Sequence, residues 1–114
     1  MAEIKIRKPN DFHHHLRDGN LLSLTVPHCF SNFKNVIIMP NLIPPITTVN
    51  QAINYRKRIL NENKIYHANP LMTIYFHKDL DSKELKLIKD NPHIYAIKYY
   101  PKNATTNSSF GITN

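Results

Sequence analysis

An α/β fold on a parallel sheet is what this sequence predicts, and three observations carry that reading. Strand-like and helix-like segments alternate along the chain as strand, helix, strand, helix, strand, helix, strand. Val36-Ile37-Ile38-Met39 is a continuous apolar run closed by Pro40-Asn41, the pattern of a strand covered on both faces. The residues with chemistry to offer fall at the carboxyl ends of the strands, the face at which barrels and open parallel sheets alike bind ligands. With 114 residues, 41% of them hydrophobic, the chain is of a size for one domain with its own core.

The first strand holds the densest chemistry. Ile4 and Ile6 alternate with charged residues, Pro9-Asn10 interrupts, and Asp11 to Leu16 follow, so this strand is expected to be bent or in two pieces. Alternation along an extended segment sends His13 and His15 to one face, and His14 and Leu16 into the packing on the other. Two imidazoles on one face suit one metal ion. Arg17, two residues further along that face, suits a carboxylate gripped bidentately beside the metal. The plainer reading is a surface strand with solvated histidines. Three histidines are too few for a purification tag, and Leu16-Arg17-Asp18-Gly19 is not linker composition.

Leu21, Leu22, Leu24 and Val26 predict a short helix, interrupted by Pro27 and closed by Ser31-Asn32. His28 and Cys29 lie here, both expected to pack against the next strand. That strand, Val36 to Met39, leaves Asn41 just past its carboxyl end. Leu42 to Ile46 with Pro44-Pro45 must be an irregular loop, because two prolines cannot serve a central ladder. Thr48 with Gln51 makes a capping box, and Val49, Ala52, Ile53, Arg56, Ile59 and Leu60 keep helical spacing to Asn61. Leu71 to Phe76 is the third strand, with His77 at its end. Asp81 with Glu84 marks a second capped helix, supported by Leu85 and Ile88 and ended before Pro92. Ile94-Tyr95-Ala96-Ile97 is a fourth short strand leading into Lys98, and Tyr99-Tyr100-Pro101 opens a polar loop from Lys102 to Ser109. Small polar residues leave that loop little apolar surface, which predicts a mobile lid. His67 and His93 fall in expected loops, where exposure is the default.

Composition narrows the function classes. Fifteen Lys and Arg against eight Asp and Glu give a formal charge of +7, but the lysines are spread along the chain. The densest knot, Arg56-Lys57-Arg58, sits in a helix where a solvated face explains it. No basic stripe interleaves with stacking aromatics, which argues against a nucleic-acid module. No apolar run reaches the roughly 18 residues of a membrane span. One cysteine excludes an internal disulfide framework, and the amino terminus lacks a signal peptide's apolar core, so a cytoplasmic protein is expected. Only two glycines occur, so a glycine-rich nucleotide loop has nothing to stand on.

Three motifs in order resemble the dihydroorotase family, in its bacterial homodimeric type within the amidohydrolase superfamily. They are His13-His14-His15-Leu16-Arg17-Asp18-Gly19, Met39-Pro40-Asn41-Leu42 with Pro44-Pro45 and Thr47-Thr48, and Lys98-Tyr99-Tyr100-Pro101 with Asn103-Ala104-Thr105-Thr106-Asn107-Ser108-Ser109. The resemblance runs from Ile4 to Thr113. It implies a (β/α)8 TIM-type barrel, of which residues 1–114 form an N-terminal part of about four β/α units. It also implies a homodimer and two zinc ions at the barrel mouth, catalysing reversible cyclisation of N-carbamoyl-L-aspartate to dihydroorotate in pyrimidine synthesis. His13 and His15 would hold the first zinc, and Lys98, as a carboxylated lysine, would bridge both. Arg17 and Asn41 would hold the substrate carboxylate, and Thr105 and Thr106 would reach the substrate from the loop. His14 stands where an apolar residue is expected, with little consequence foreseen because it faces away from the metal. A whole barrel takes about 200 residues or more, so the further zinc ligands and the general base are expected outside this chain. On that ground the chain alone is expected to be inactive, and a non-catalytic remnant with residual metal or partner binding is the competing reading.

Overall fold

The computed structural model describes residues 1–113, in which four strands and three α-helices alternate. They are β1 (Asp11–His14), α1 (Leu22–Asn32), β2 (Asn35–Ile38), α2 (Val49–Glu62), β3 (Asn69–Tyr75), α3 (Ser82–Asp90) and β4 (Ile94–Lys98). The strands form one sheet in the order β1-β2-β3-β4, every pair parallel. Sequential order without a reversal is the winding of a barrel, whereas a doubly wound sheet reverses at a switch point.

A single apolar core lies between the sheet and its helices. Leu16, Val36, Ile38, Met72 and Ile74 meet Val26 and Phe30 of α1, Ala52 and Ile59 of α2 and Ile88 of α3. Cys29 is buried in this core as expected, whereas His28, on the other side of α1, is exposed rather than packed; burial pushes the Cys29 thiol up to about 12, so it acts as a small hydrophobe. No described helix is long and apolar enough to cross a membrane.

Three expectations about local structure change, and one holds in full. Ile4 and Ile6 belong to no strand: residues 1–10 are exposed, and pairing begins only at Asp11. Proline at position 9 withholds the amide that a ladder needs. α1 runs straight through Pro27, because the carbonyl that its missing N–H would have met belongs to Ser23, which is exposed and open to solvent. The capping box at α2 forms in full, with Gln51 N–H donating to Thr48 Oγ1 at 3.2 Å and Thr48 N–H donating to Gln51 Oε1 at 3.1 Å. At α3 only half of one forms: Asp81 accepts from Glu84 N–H at 2.8 Å, but Glu84 Oε1 accepts from Val49 N–H, at the start of α2, at 2.6 Å. A carboxylate there meets an orphan donor and the positive end of a longer helix. Thr48→Ala is expected to cost about 1 kcal/mol of stability, read as a lower urea midpoint at unchanged m-value.

Candidate metal centre

β1 is short and bulged, and its own aspartate makes the bulge. Asp11 pairs with Val36 and His14 with Ile38, so three steps along β1 match two along β2. Asp11 Oδ1 accepts the His13 N–H at 2.9 Å while Oδ2 meets His14 Nδ1 at 2.8 Å. Burial opposes ionisation of Asp11, but the His13 amide and the His14 ring outweigh it and hold the carboxyl below its usual range. His14 thereby turns away from the site toward Phe33, with ring centroids 6.4 Å apart. Leu16 is fully buried on that same side.

His13 and His15 share the opposite side. Their Nε2 atoms stand 3.1 Å apart. Two imidazole nitrogens bound tetrahedrally to one zinc at 2.0–2.1 Å would stand about 3.3 Å apart, so the pair fits a shared ion with almost no movement. Burial first, then the charges of Arg17 and His13, lower the His15 pKa, and Asn41 opposes them only in part. Lowering favours the neutral imidazole, which is the form that binds metal.

Lys98 reaches this pair from the last residue of β4. His13, His15 and Lys98 line one cavity of about 250 Å³, together with Tyr99, Tyr100 and Thr105. Tyr75 faces Lys98 in the β3–β4 register, and its ring stacks on Tyr100 with centroids 4.7 Å apart. Lys98 Nζ lies 5.7 Å from the Tyr100 ring centroid, and no carboxylate pairs with it among the described residues. An amine at a strand end, beside two imidazoles and free of a counter-ion, is suited to becoming an anionic ligand by carboxylation. No third His, Cys, Asp or Glu joins the two histidines among the described residues.

Arg17 does not continue the strand face as expected. β1 ends at His14, and Arg17 takes a left-handed backbone with φ 62°. Its Nη1 is nevertheless buried without a hydrogen-bond partner, and its charge acts on both His15 and Tyr100. Asn41 is buried just past β2, where its Nδ2 donates to the Thr106 carbonyl at 2.7 Å and its own carbonyl accepts from Asn107 Nδ2 at 3.1 Å. Its Oδ1 has no hydrogen-bond partner.

The loop from Lys102 to Ser109 is pinned rather than free. Ser108 is buried, its Oγ donates to the Thr105 carbonyl at 2.7 Å, and Asn103 N–H donates to the Ser108 carbonyl at 2.9 Å. Asn41 ties the same loop from below. Polar bonds do here what apolar surface does elsewhere, which residue composition does not reveal. Thr105 and Thr106 are exposed, and Thr105 lines the cavity shared by His13, His15 and Lys98.

His77 lines a different and larger recess of about 720 Å³, with Lys102, Pro44, Pro45 and Phe110, away from the paired imidazoles. His67 is exposed, and His93 is half-buried next to Asn91, whose Oδ1 accepts its N–H at 2.9 Å. Sequence reasoning passed over Tyr100, which lines the cavity, and Tyr75, which stacks on it. For Tyr100 a signal existed, since it stands two residues beyond Lys98 and so shares its face.

Comparison with known proteins agrees with this geometry. No family profile matches the chain. It is 48% identical over 114 residues to the dihydroorotase of Nitrosococcus oceani and 46% identical over 113 residues to the mitochondrial dihydroorotase of Arabidopsis thaliana. Those alignments take in 99% and 98% of this chain but 33% and 30% of the relatives, so the chain spans about a third of their length. Among solved structures it overlays dihydroorotase from Campylobacter jejuni with TM-score 0.86 at 42% identity, covering 94% of this chain and 31% of that one. The Saccharomyces cerevisiae dihydroorotase in complex with 5-fluoroorotic acid overlays with TM-score 0.84 at 33% identity, covering 91% and 28%.

Proposed function

The chain belongs to the dihydroorotase family as a segment of its barrel, and we propose that it carries the zinc and substrate-carboxylate side of a dihydroorotase site. The reaction is the reversible closure of N-carbamoyl-L-aspartate to dihydroorotate. The observation that supports this best is the convergence of His13, His15 and Lys98, from the two outer strands of the sheet, on one cavity at the strand ends.

His13 and His15 would hold one zinc ion, and Lys98, carboxylated on Nζ, would bridge it to a second. Zinc bound there supplies a nucleophile at neutral pH and polarises the amide carbonyl under attack. Arg17 offers a buried, unpartnered guanidinium N–H to the substrate carboxylate, and Asn41 would donate beside it the second Nδ2 N–H that its bond to the Thr106 carbonyl leaves over. Thr105 and Thr106 close the site from the loop that Asn41 anchors. No third His, Cys, Asp or Glu joins His13 and His15 among the described residues, and this segment by itself is expected to turn over no substrate. A homodimer acting in the cytoplasm on a small carboxylated substrate is the setting that this reading carries.

Metal content tests the assignment. In an intact dihydroorotase whose matching third is replaced by residues 1–114, the double variant His13→Ala/His15→Ala is expected to bind about one zinc fewer per chain than its parent, measured by elemental analysis after dialysis. Unchanged zinc content would remove both histidines from the centre.

A further inference from the structure

We propose that Tyr55, together with the Arg58–Asp18 ion pair, is a positioning residue: it clasps Arg17 in the left-handed backbone from which the guanidinium meets the substrate carboxylate. The inference rests on the reading of Arg17 given above and names what holds that residue in place.

Arg17 has φ 62°, a conformation that residues other than glycine keep only where their surroundings hold them. Gly19, two residues on, has the same φ, so the chain reverses sharply between β1 and α1. Each residue of this corner is tied from a helix. Thr25 Oγ1 of α1 donates to the Leu16 carbonyl at 2.8 Å. The Tyr55 hydroxyl of α2 donates to the Arg17 carbonyl. Arg58, three residues along α2, grips the Asp18 carboxylate with Nε at 3.0 Å and Nη2 at 2.8 Å. Tyr55 and Arg58 lie on one face of α2, with the guanidinium 5.3 Å from the phenol ring centroid.

A buried tyrosine needs an acceptor, and many carbonyls would serve one. Tyr55 is 1% exposed and spends its hydroxyl on the carbonyl of the one residue in the corner whose backbone is strained and whose guanidinium Nη1 is buried without a hydrogen-bond partner. The phenol therefore favours the conformer that aims Arg17, where an extended residue 17 would carry both carbonyl and guanidinium elsewhere. Arg58 is the lesser half, because its ion pair with Asp18 is half-exposed and screened.

The 114-residue chain decides this with two readouts. The first needs no ligand: Cα and Cβ chemical shifts of Arg17 report its backbone. In Tyr55→Phe they are expected to move toward extended values, while those of His13 and His15 stay. Asp18→Asn, on the exposed half of the clasp, is expected to move them in the same direction and keeps the test alive if the core variant fails to fold. The second readout is dihydroorotate binding to the zinc-supplemented chain, expected to weaken about tenfold in Tyr55→Phe at unchanged zinc content. Adding Arg17→Gln to that variant should cost less than Arg17→Gln costs alone, because both act through one side chain. Arg17 shifts unchanged in both variants would overturn the clasp, as would a Tyr55→Phe chain that binds like the parent while Arg17→Gln does not. Should the parent chain bind no dihydroorotate, the same comparison is made in an intact dihydroorotase whose matching third is replaced by residues 1–114, where an Arg17→Gln variant that binds like its parent removes the carboxylate role; the shifts decide the clasp in either case.

Discussion

Alanine at position 98 is expected to abolish turnover in a chimera in which residues 1–114 replace the matching third of an intact dihydroorotase. Lys98 ends β4 and lines the same cavity as His13 and His15, with no carboxylate paired to it among the described residues. If carboxylated lysine bridges two ions, its loss removes one ligand from each and the negative charge that holds two dications together. Metal ions contribute several kcal/mol to stabilising such a transition state, and each 1.4 kcal/mol is about tenfold in rate. A fall of at least about a thousandfold follows. Millimolar acetate or propionate should restore part of the activity, since a small carboxylate fits the space the side chain vacates. An alanine chimera that works as well as its parent would take Lys98 out of the centre.

Phe30→Ala is expected to have the largest effect on the fold, a loss of about 3–5 kcal/mol. Phe30 is completely buried where α1 meets the sheet, among the core side chains that surround Val36 and Ile38. Truncation forfeits the ring's burial and leaves a cavity that a parallel sheet cannot collapse to fill. Against a typical domain stability of about 5–15 kcal/mol, that loss is severe. Leu24, on the same helix but 69% exposed, is the control, and Leu24→Ala should stay within about 0.5 kcal/mol. Urea unfolding followed by circular dichroism separates the two, and equal midpoints would mean that α1 is not docked as described.

The order and type of every element were legible because periodicity is local. β4 was read to the residue, and the Thr48–Gln51 box, which needs only residues three apart, formed as expected. The pairing of His13 with His15 was legible for the same reason, since alternation decides faces within one strand. What failed were inferences that ran a local rule past the point where another segment intervenes. Glu84 was read as its own helix's cap and instead serves α2, thirty-five residues away in sequence. Arg17 was read by alternation, but α2 grips its carbonyl and turns the chain before alternation reaches it. The loop after Tyr100 was read as loose from its small polar residues, yet Asn41, from the end of another strand, supplies the bonds that pin it.

By itself, the sequence determined the order of strands and helices and that His13 and His15 share a side, because periodicity and side-chain alternation are properties of a single local segment. Only the tertiary structure decided that Lys98 meets His13 and His15 across four strands, that Tyr100 lines their cavity with Tyr75 stacked on it, and that Arg17 is held from α2. Those meetings depend on sheet order and register, which arise from the packing of strands against helices far apart in the chain and leave no periodic mark in any one of them.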